Sequence, residues 1–85
     1  MNLIKVESYI IPFSQMLKYT INSSFVDTEF SFSSEEKASK IYPILKSKIN
    51  NNIQVIINNY KFNFILKECY FDFNKIIMKG SQING

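Results

Sequence analysis

The strongest constraint on the fold lies in residues 58–77, NNYKFNFILKECYFDFNKII, where aromatic and aliphatic residues alternate with polar ones. A period of two belongs to a half-buried strand, whereas a helix would scatter the same side chains around its circumference. The dipeptides Asn58-Asn59, Lys67-Glu68 and Asn74-Lys75 have the length of two-residue hairpin loops. Turns at these places set the register without further choice. Ile57 then faces Tyr60, Val55 faces Phe62 and Ile53 faces Phe64. Leu66 faces Cys69, Phe64 faces Phe71 and Phe62 faces Phe73, while Phe73 also faces Ile76 and Phe71 faces Met78. All of these residues share one side. A slip of one residue would turn a whole strand's apolar set outward, so three loops that agree in parity favour a four-stranded meander with a buried aromatic face. A helix over 65–78 would instead leave Phe71 and Met78 exposed on its far side.

Upstream, residues 3–11 set Ile4, Val6 and Ile10 against Lys5, Glu7 and Tyr9, a strand pattern. Pro12 suits the first position of a helix, and Phe13, Met16, Leu17 and Ile21 have helical spacing, which predicts a short helix. Residues 25–32 set Val26, Thr28, Phe30 and Phe32 against Asp27, Glu29 and Ser31, a second strand. Ser33 and Glu36 have the spacing of a capping box that opens a long helix. On that helix Ala38, Ile41, Tyr42, Leu45 and Ile49 form one stripe, and Pro43 kinks it from the solvent side. Residues 79–85 read as a polar tail. The expected fold class is α+β, one domain over residues 1–85. Its order is strand, short helix, strand, long helix and four-stranded antiparallel meander, with the long helix packed on the aromatic face.

Composition narrows the chemistry. Eighty-five residues suffice for one modest core. Every basic residue is lysine, and there is no His and no Trp. The usual general base and the commonest transition-metal ligand are therefore missing, as is the guanidinium fork that clamps phosphate. No catalytic residue, metal or cofactor is assigned. Asp27, Glu29, Glu35 and Glu36 form an acidic run, but the last two suit a helix N-terminus. Cys69, the single cysteine, falls on the buried face and reads as an inert core thiol. One thiol makes no internal disulfide, and Lys5 and Glu7 interrupt the opening residues before any long apolar run. A cytoplasmic protein without a membrane segment is the expectation.

Two surfaces stand out. The face of the meander opposite the aromatic one carries Ile56, Ile65, Tyr70 and Ile77 at its centre, with Lys61 and Lys79 at the rim, the anatomy of a protein interface. Cover by the N-terminal strand and short helix is the competing use of this face. On the long helix Lys37, Lys40 and Lys48 surround Ile44, a basic strip suited to an acidic partner or to solvent. The net charge is +3 and its basic character belongs to the C-terminal half, which also interleaves lysines with rings in YKFNFILKECYF. Single-stranded nucleic acid could use such a stretch, but stacking needs exposed rings, and these registers bury Phe62, Phe64, Phe71 and Phe73. The functional expectation is a small non-catalytic module that binds another protein or a second copy of itself. Nucleic acid is the lesser alternative. By analogy of size and AT-biased composition alone, such a chain resembles phage-type inhibitors of host defence or regulatory complexes.

Overall fold

A computed structural model describes residues 1–83 of the protein. The elements follow in the order β1 (Asn2–Val6), β2 (Tyr9–Pro12), β3 (Gln15–Ile21), β4 (Phe25–Ser31), α1 (Glu35–Lys46), β5 (Asn52–Ile57), β6 (Tyr60–Asp72) and β7 (Lys75–Gln82). The seven strands form one antiparallel sheet in the spatial order β2-β1-β5-β6-β7-β4-β3, so the class is α+β, with one helix among the described residues.

The sheet curls until its two outermost strands, consecutive in the chain, meet at a corner. At Phe13-Ser14 the backbone leaves β1 and passes to β4. Phe13 N–H donates to Asn2 O at 3.1 Å and Ser14 N–H to Ser31 O at 2.9 Å, while the Asn2 amide donates to Ser14 O at 3.0 Å. The result is a barrel-like shell. Across its interior Tyr19 of β3 stacks on Phe62 of β6 at 4.3 Å between centroids, although β7 and β4 lie between those strands in the sheet. Ile4, Val6, Val26, Phe30, Ile53, Val55, Phe64, Leu66, Ile76 and Met78 fill the inside. Thr28 is the buried polar residue there, and its hydroxyl donates to Met78 O at 2.7 Å.

Ile53, Val55, Phe62, Phe64, Leu66, Cys69, Ile76 and Met78 keep the expected inward face on different strands, whereas Phe71 and Phe73, expected on that face, are exposed. The first hairpin has the expected register around Asn58-Asn59. At Lys67-Glu68 there is no turn, and β6 runs on through a bulge between Leu66 and Glu68. One extra residue shifts the alternation by one, so Leu66 and Cys69 both face inward, as they would on the arms of a two-residue hairpin. The last turn falls at Phe73-Asn74 instead of Asn74-Lys75, pairing Phe71 with Ile76 and Cys69 with Met78. The meander has three strands, not four.

The N-terminal third departs further. Residues 3–11 form a hairpin, with Val6 opposite Tyr9, so Ile10 points outward and Ile11 is buried. The segment expected as a short helix is β3, with its own bulge between Met16 and Lys18. A bulge turns the strand spacing of Met16, Tyr19 and Ile21 into an i, i+3 step that imitates a helix. The aromatic and β-branched run Tyr19-Thr20-Ile21 favours the strand. α1 begins one residue later than expected, since Ser34 Oγ, not that of Ser33, accepts from Lys37 N–H at 3.1 Å. Residues 79–82, read as tail in the sequence, complete β7, and residues 84 and 85 lie outside the described residues. No helix among the described residues is long and apolar enough to cross a membrane.

Gly80 of β7 sits opposite Leu66 and Val26, beside the β6 bulge. A β-carbon there would lie 2.0 Å from Ile65 O. Gly80→Ala is expected to lower the unfolding free energy by about 1–3 kcal/mol in a urea titration. Unchanged stability would contradict this close approach of β6 and β7.

Candidate functional site

The outer face of β5, β6 and β7 is open to solvent at Lys61, Asn63, Tyr70 and Asp72. The N-terminal segments expected to cover it extend the sheet at its two edges instead. All six residues expected at an interface lie on this side, spread over four cross-strand rows. Ile56 and Lys61 share a row with Leu3 and Pro12. Ile65 lies in a row with Asn52, Ser81 and Phe25. Tyr70 pairs with Ile77, and Lys79 with Glu68. Leu3, Pro12 and Phe25 were missed because only the long-range pairings of β1 with β5 and β4 with β7 bring them in. No local pattern announces those pairings.

Charges around Tyr70 alternate. Lys79 stands between Glu68 and Asp27, Lys75 is opposite Asp72, and Glu29 lies between Ile77 and Lys18. Lys18 pairs with Asp27 at 2.9 Å, which raises the pKa of the lysine, and Lys75 approaches Glu29 at 4.0 Å. Asp27 and Glu29, the strand carboxylates of the acidic run, thus each sit beside a lysine.

The exposed rings gather where β6 outruns β5. β5 begins at Asn52, opposite Ile65, and the edge of β6 beyond that point meets α1. The Tyr42 hydroxyl and Lys46 Nζ both donate to Cys69 O, at 3.5 and 3.3 Å, and so cap that edge. Further along, Phe71 stacks on Tyr42 at 5.6 Å yet stays 39% exposed, and Phe73 is 70% exposed. Burial of the four Phe rings therefore holds for Phe62 and Phe64 alone. Phe71 and Phe73 lie beyond Asn52, the first residue of β5, so no strand pairs with β6 on that side there. Tyr70 borders this end, with Lys46 and Lys79 at 6.0 and 5.9 Å from its ring centroid. Its hydroxyl donates to the Glu68 carboxylate, which raises the tyrosine pKa.

Phe73 has a φ of 54° and opens a two-residue turn. Glu7 and Asn58 occupy the same position in the other tight hairpins, with φ of 51° and 54°. Asn is suited to this left-handed region, and Glu7 is held by an ion pair with Lys48. Phe73 instead carries a solvated ring at a position where type II′ turns take Gly. A left-handed backbone costs a residue with a β-carbon about 1–2 kcal/mol. The turn is anchored all the same, because Phe32 N–H donates to Asn74 O at 2.8 Å and the Asn74 amide returns a bond to Phe32 O at 3.1 Å.

The basic strip expected on the helix is divided, since α1 ends at Lys46 and Lys48 lies in the turn past its C-cap Ser47. Ile44 packs on the core, Lys48 pairs with Glu7 and lies over the Tyr9 ring, and Lys40 is 3.8 Å from Glu36, which leaves Lys37 as its exposed lysine with no carboxylate beside it in the described residues. Among the described residues no three Cys, Asp or Glu side chains converge as a metal site requires. No family model, curated protein or solved structure matches the chain at a significant level.

Cys69 is fully buried, and burial pushes its thiol up to about 11, with the Lys46 ammonium pulling the other way. Because the folded thiol titrates above its ordinary 9.0, its contribution to stability is complete below pH 9 and is lost as the pH rises towards 11. Alkylation by iodoacetamide at mildly alkaline pH is expected to be fast in urea and, in buffer, to be slowed in proportion to the small equilibrium population of the open state. Rapid modification of the folded protein would contradict the placement of Cys69.

Proposed function

We propose that the protein is a non-catalytic module that binds another protein by inserting the aromatic tip of its β6–β7 hairpin. In this reading Phe73 is the anchor, Phe71 and Tyr42 support it, and Tyr70, Lys46 and Lys79 form a flank suited to an acidic rim on the partner. The positive φ of Phe73 carries the reading. A free protein would be better served by Gly or Asn at that position, so the ring is kept against the interest of the fold. Strain of this kind clusters at binding sites, and aromatic anchors dominate protein interfaces.

Two further features support it. The interior of the shell is filled by side chains and no pocket opens among the described residues. A partner therefore meets a convex surface, which a protruding ring suits. The lysines beside Tyr70 are interleaved with Asp27, Glu29, Glu68 and Asp72, and a broken basic track favours a protein over a phosphate backbone. Stacking of single-stranded nucleic acid on Phe71 and Phe73 is the alternative that these exposed rings keep open. Action as a phage-type inhibitor would follow if the bound surface belongs to a host complex, and size and composition are its only support.

Phe73→Gly separates fold from function. Its thermal midpoint is expected to equal or exceed that of the wild type, while capture of the partner from nuclease-treated lysate of the native host is lost. A lower midpoint, or undiminished capture, would contradict the anchor role. Capture by the wild type that disappears after nuclease treatment would transfer the site to nucleic acid.

A further inference from the structure

Among the described residues the sheet has four stretches of edge, β2, β3, the overhang of β6 past Asn52, and residues 60–63 of β6 on the side away from β5; the first and third are protected, and Tyr19 of β3 stacks on Phe62 of the fourth. β2 is four residues long and ends in Pro12, which has no N–H to offer. The overhang of β6 is capped at Cys69 O by Tyr42 and Lys46. β3 is seven residues long, lies last in the sheet order, and has neither device over its second half. Asn22 N–H donates to Phe25 O at 3.0 Å. Antiparallel alternation from that bond turns the backbone of Thr20 and Lys18 toward β4 and that of Tyr19 and Ile21 away from it. Leu17 and Ile21, on this edge, are 43% and 44% exposed.

We propose that two copies of the chain pair β3 with β3, antiparallel, about a twofold axis at Thr20. Symmetry then sets Thr20 against Thr20, Tyr19 against Ile21 and Lys18 against Asn22. The outward N–H and C=O groups of Tyr19 and Ile21 exchange hydrogen bonds with their counterparts on both sides of the axis. Hydroxyl pairs and aromatic–aliphatic pairs are favourable cross-strand neighbours. Lys18, the one charge on β3, is already compensated by Asp27 in its own chain and meets an amide, not a second lysine. The bulge before Lys18 confines pairing to residues 18–22. This fit of the edge to itself is what selects a second copy over an unrelated strand. The dimer would carry two Phe73 tips and so bind a repeated partner with avidity, but its formation does not depend on them.

Sedimentation equilibrium of the full chain from micromolar to millimolar concentration tests the proposal. The wild type is expected to convert from monomer to dimer. Thr20→Lys places an ammonium opposite Asp27 of its own β4 and two ammoniums on the axis, so the folded variant should stay monomeric where the wild type is dimeric. Ile21→Pro deletes an outward N–H without removing a bond to β4 and should do the same. A wild type that is monomeric throughout, or a dimer that persists in folded Thr20→Lys, would overturn the proposal. Thr20→Lys decides the matter even if Ile21→Pro fails to fold.

Discussion

β6 cannot pair with both of its neighbours along its whole length, and the rest of the molecule follows from that mismatch. Residues 60–65 pair with β5 and residues 64–72 with β7, so the two ladders overlap only at Phe64 and Ile65. A stagger of this size between successive strands is what curls a sheet toward closure. The curl brings β2 and β3 together at Phe13-Ser14, and it leaves the second half of β6 without a strand on one side. α1 covers part of that gap through Tyr42, Lys46, Ala38 and Leu45. Beyond the helix the hairpin projects, and the exposed rings of Phe71 and Phe73 sit on the projecting part.

Sequence periodicity reported which side of the chain faces inward far better than it reported where strands end. The face holding Ile53, Val55, Phe62, Phe64, Leu66, Cys69, Ile76 and Met78 was legible because parity is a local property, and a bulge conserves parity as a two-residue turn does. For the same reason the bulge at Lys67 was indistinguishable from a turn. In β3 the same device worked against the reading, since Leu17 inserted between Met16 and Tyr19 imitates helical spacing. Tyr70 and Lys79 were legible as outward-facing residues. The exposure of Phe73 was not, because it depends on a shift of one residue in the last turn and on β5 beginning at Asn52. Both are settled by pairing over long sequence distances.

The surface that results is convex, and around Tyr70 its charges compensate one another. Neither a cleft nor an electrostatic track distinguishes it. Its distinguishing features are a ring held at an unfavourable backbone angle and an uncovered strand edge. Each is a departure from what the isolated fold would prefer, and departures of that sort are where binding is to be sought. The well-packed interior, with Thr28 satisfied by Met78 O, supplies the rigid base that both require.

The continuity of β6 through Lys67 and Glu68 underlies the curl, the overhang and the exposed tip together. A two-dimensional NOE spectrum of the protein tests it directly. In a continuous β6 the backbone of Cys69 points toward α1, so Cys69 and Met78 form a non-hydrogen-bonded pair whose α-protons lie in close contact. A strong α-proton cross-peak between Cys69 and Met78, with none between Ile65 and Tyr70, is the expected result. A strong Ile65–Tyr70 cross-peak, the non-hydrogen-bonded pair of a two-residue hairpin, would mean that the chain turns at Lys67-Glu68, and would return Phe73 to the core.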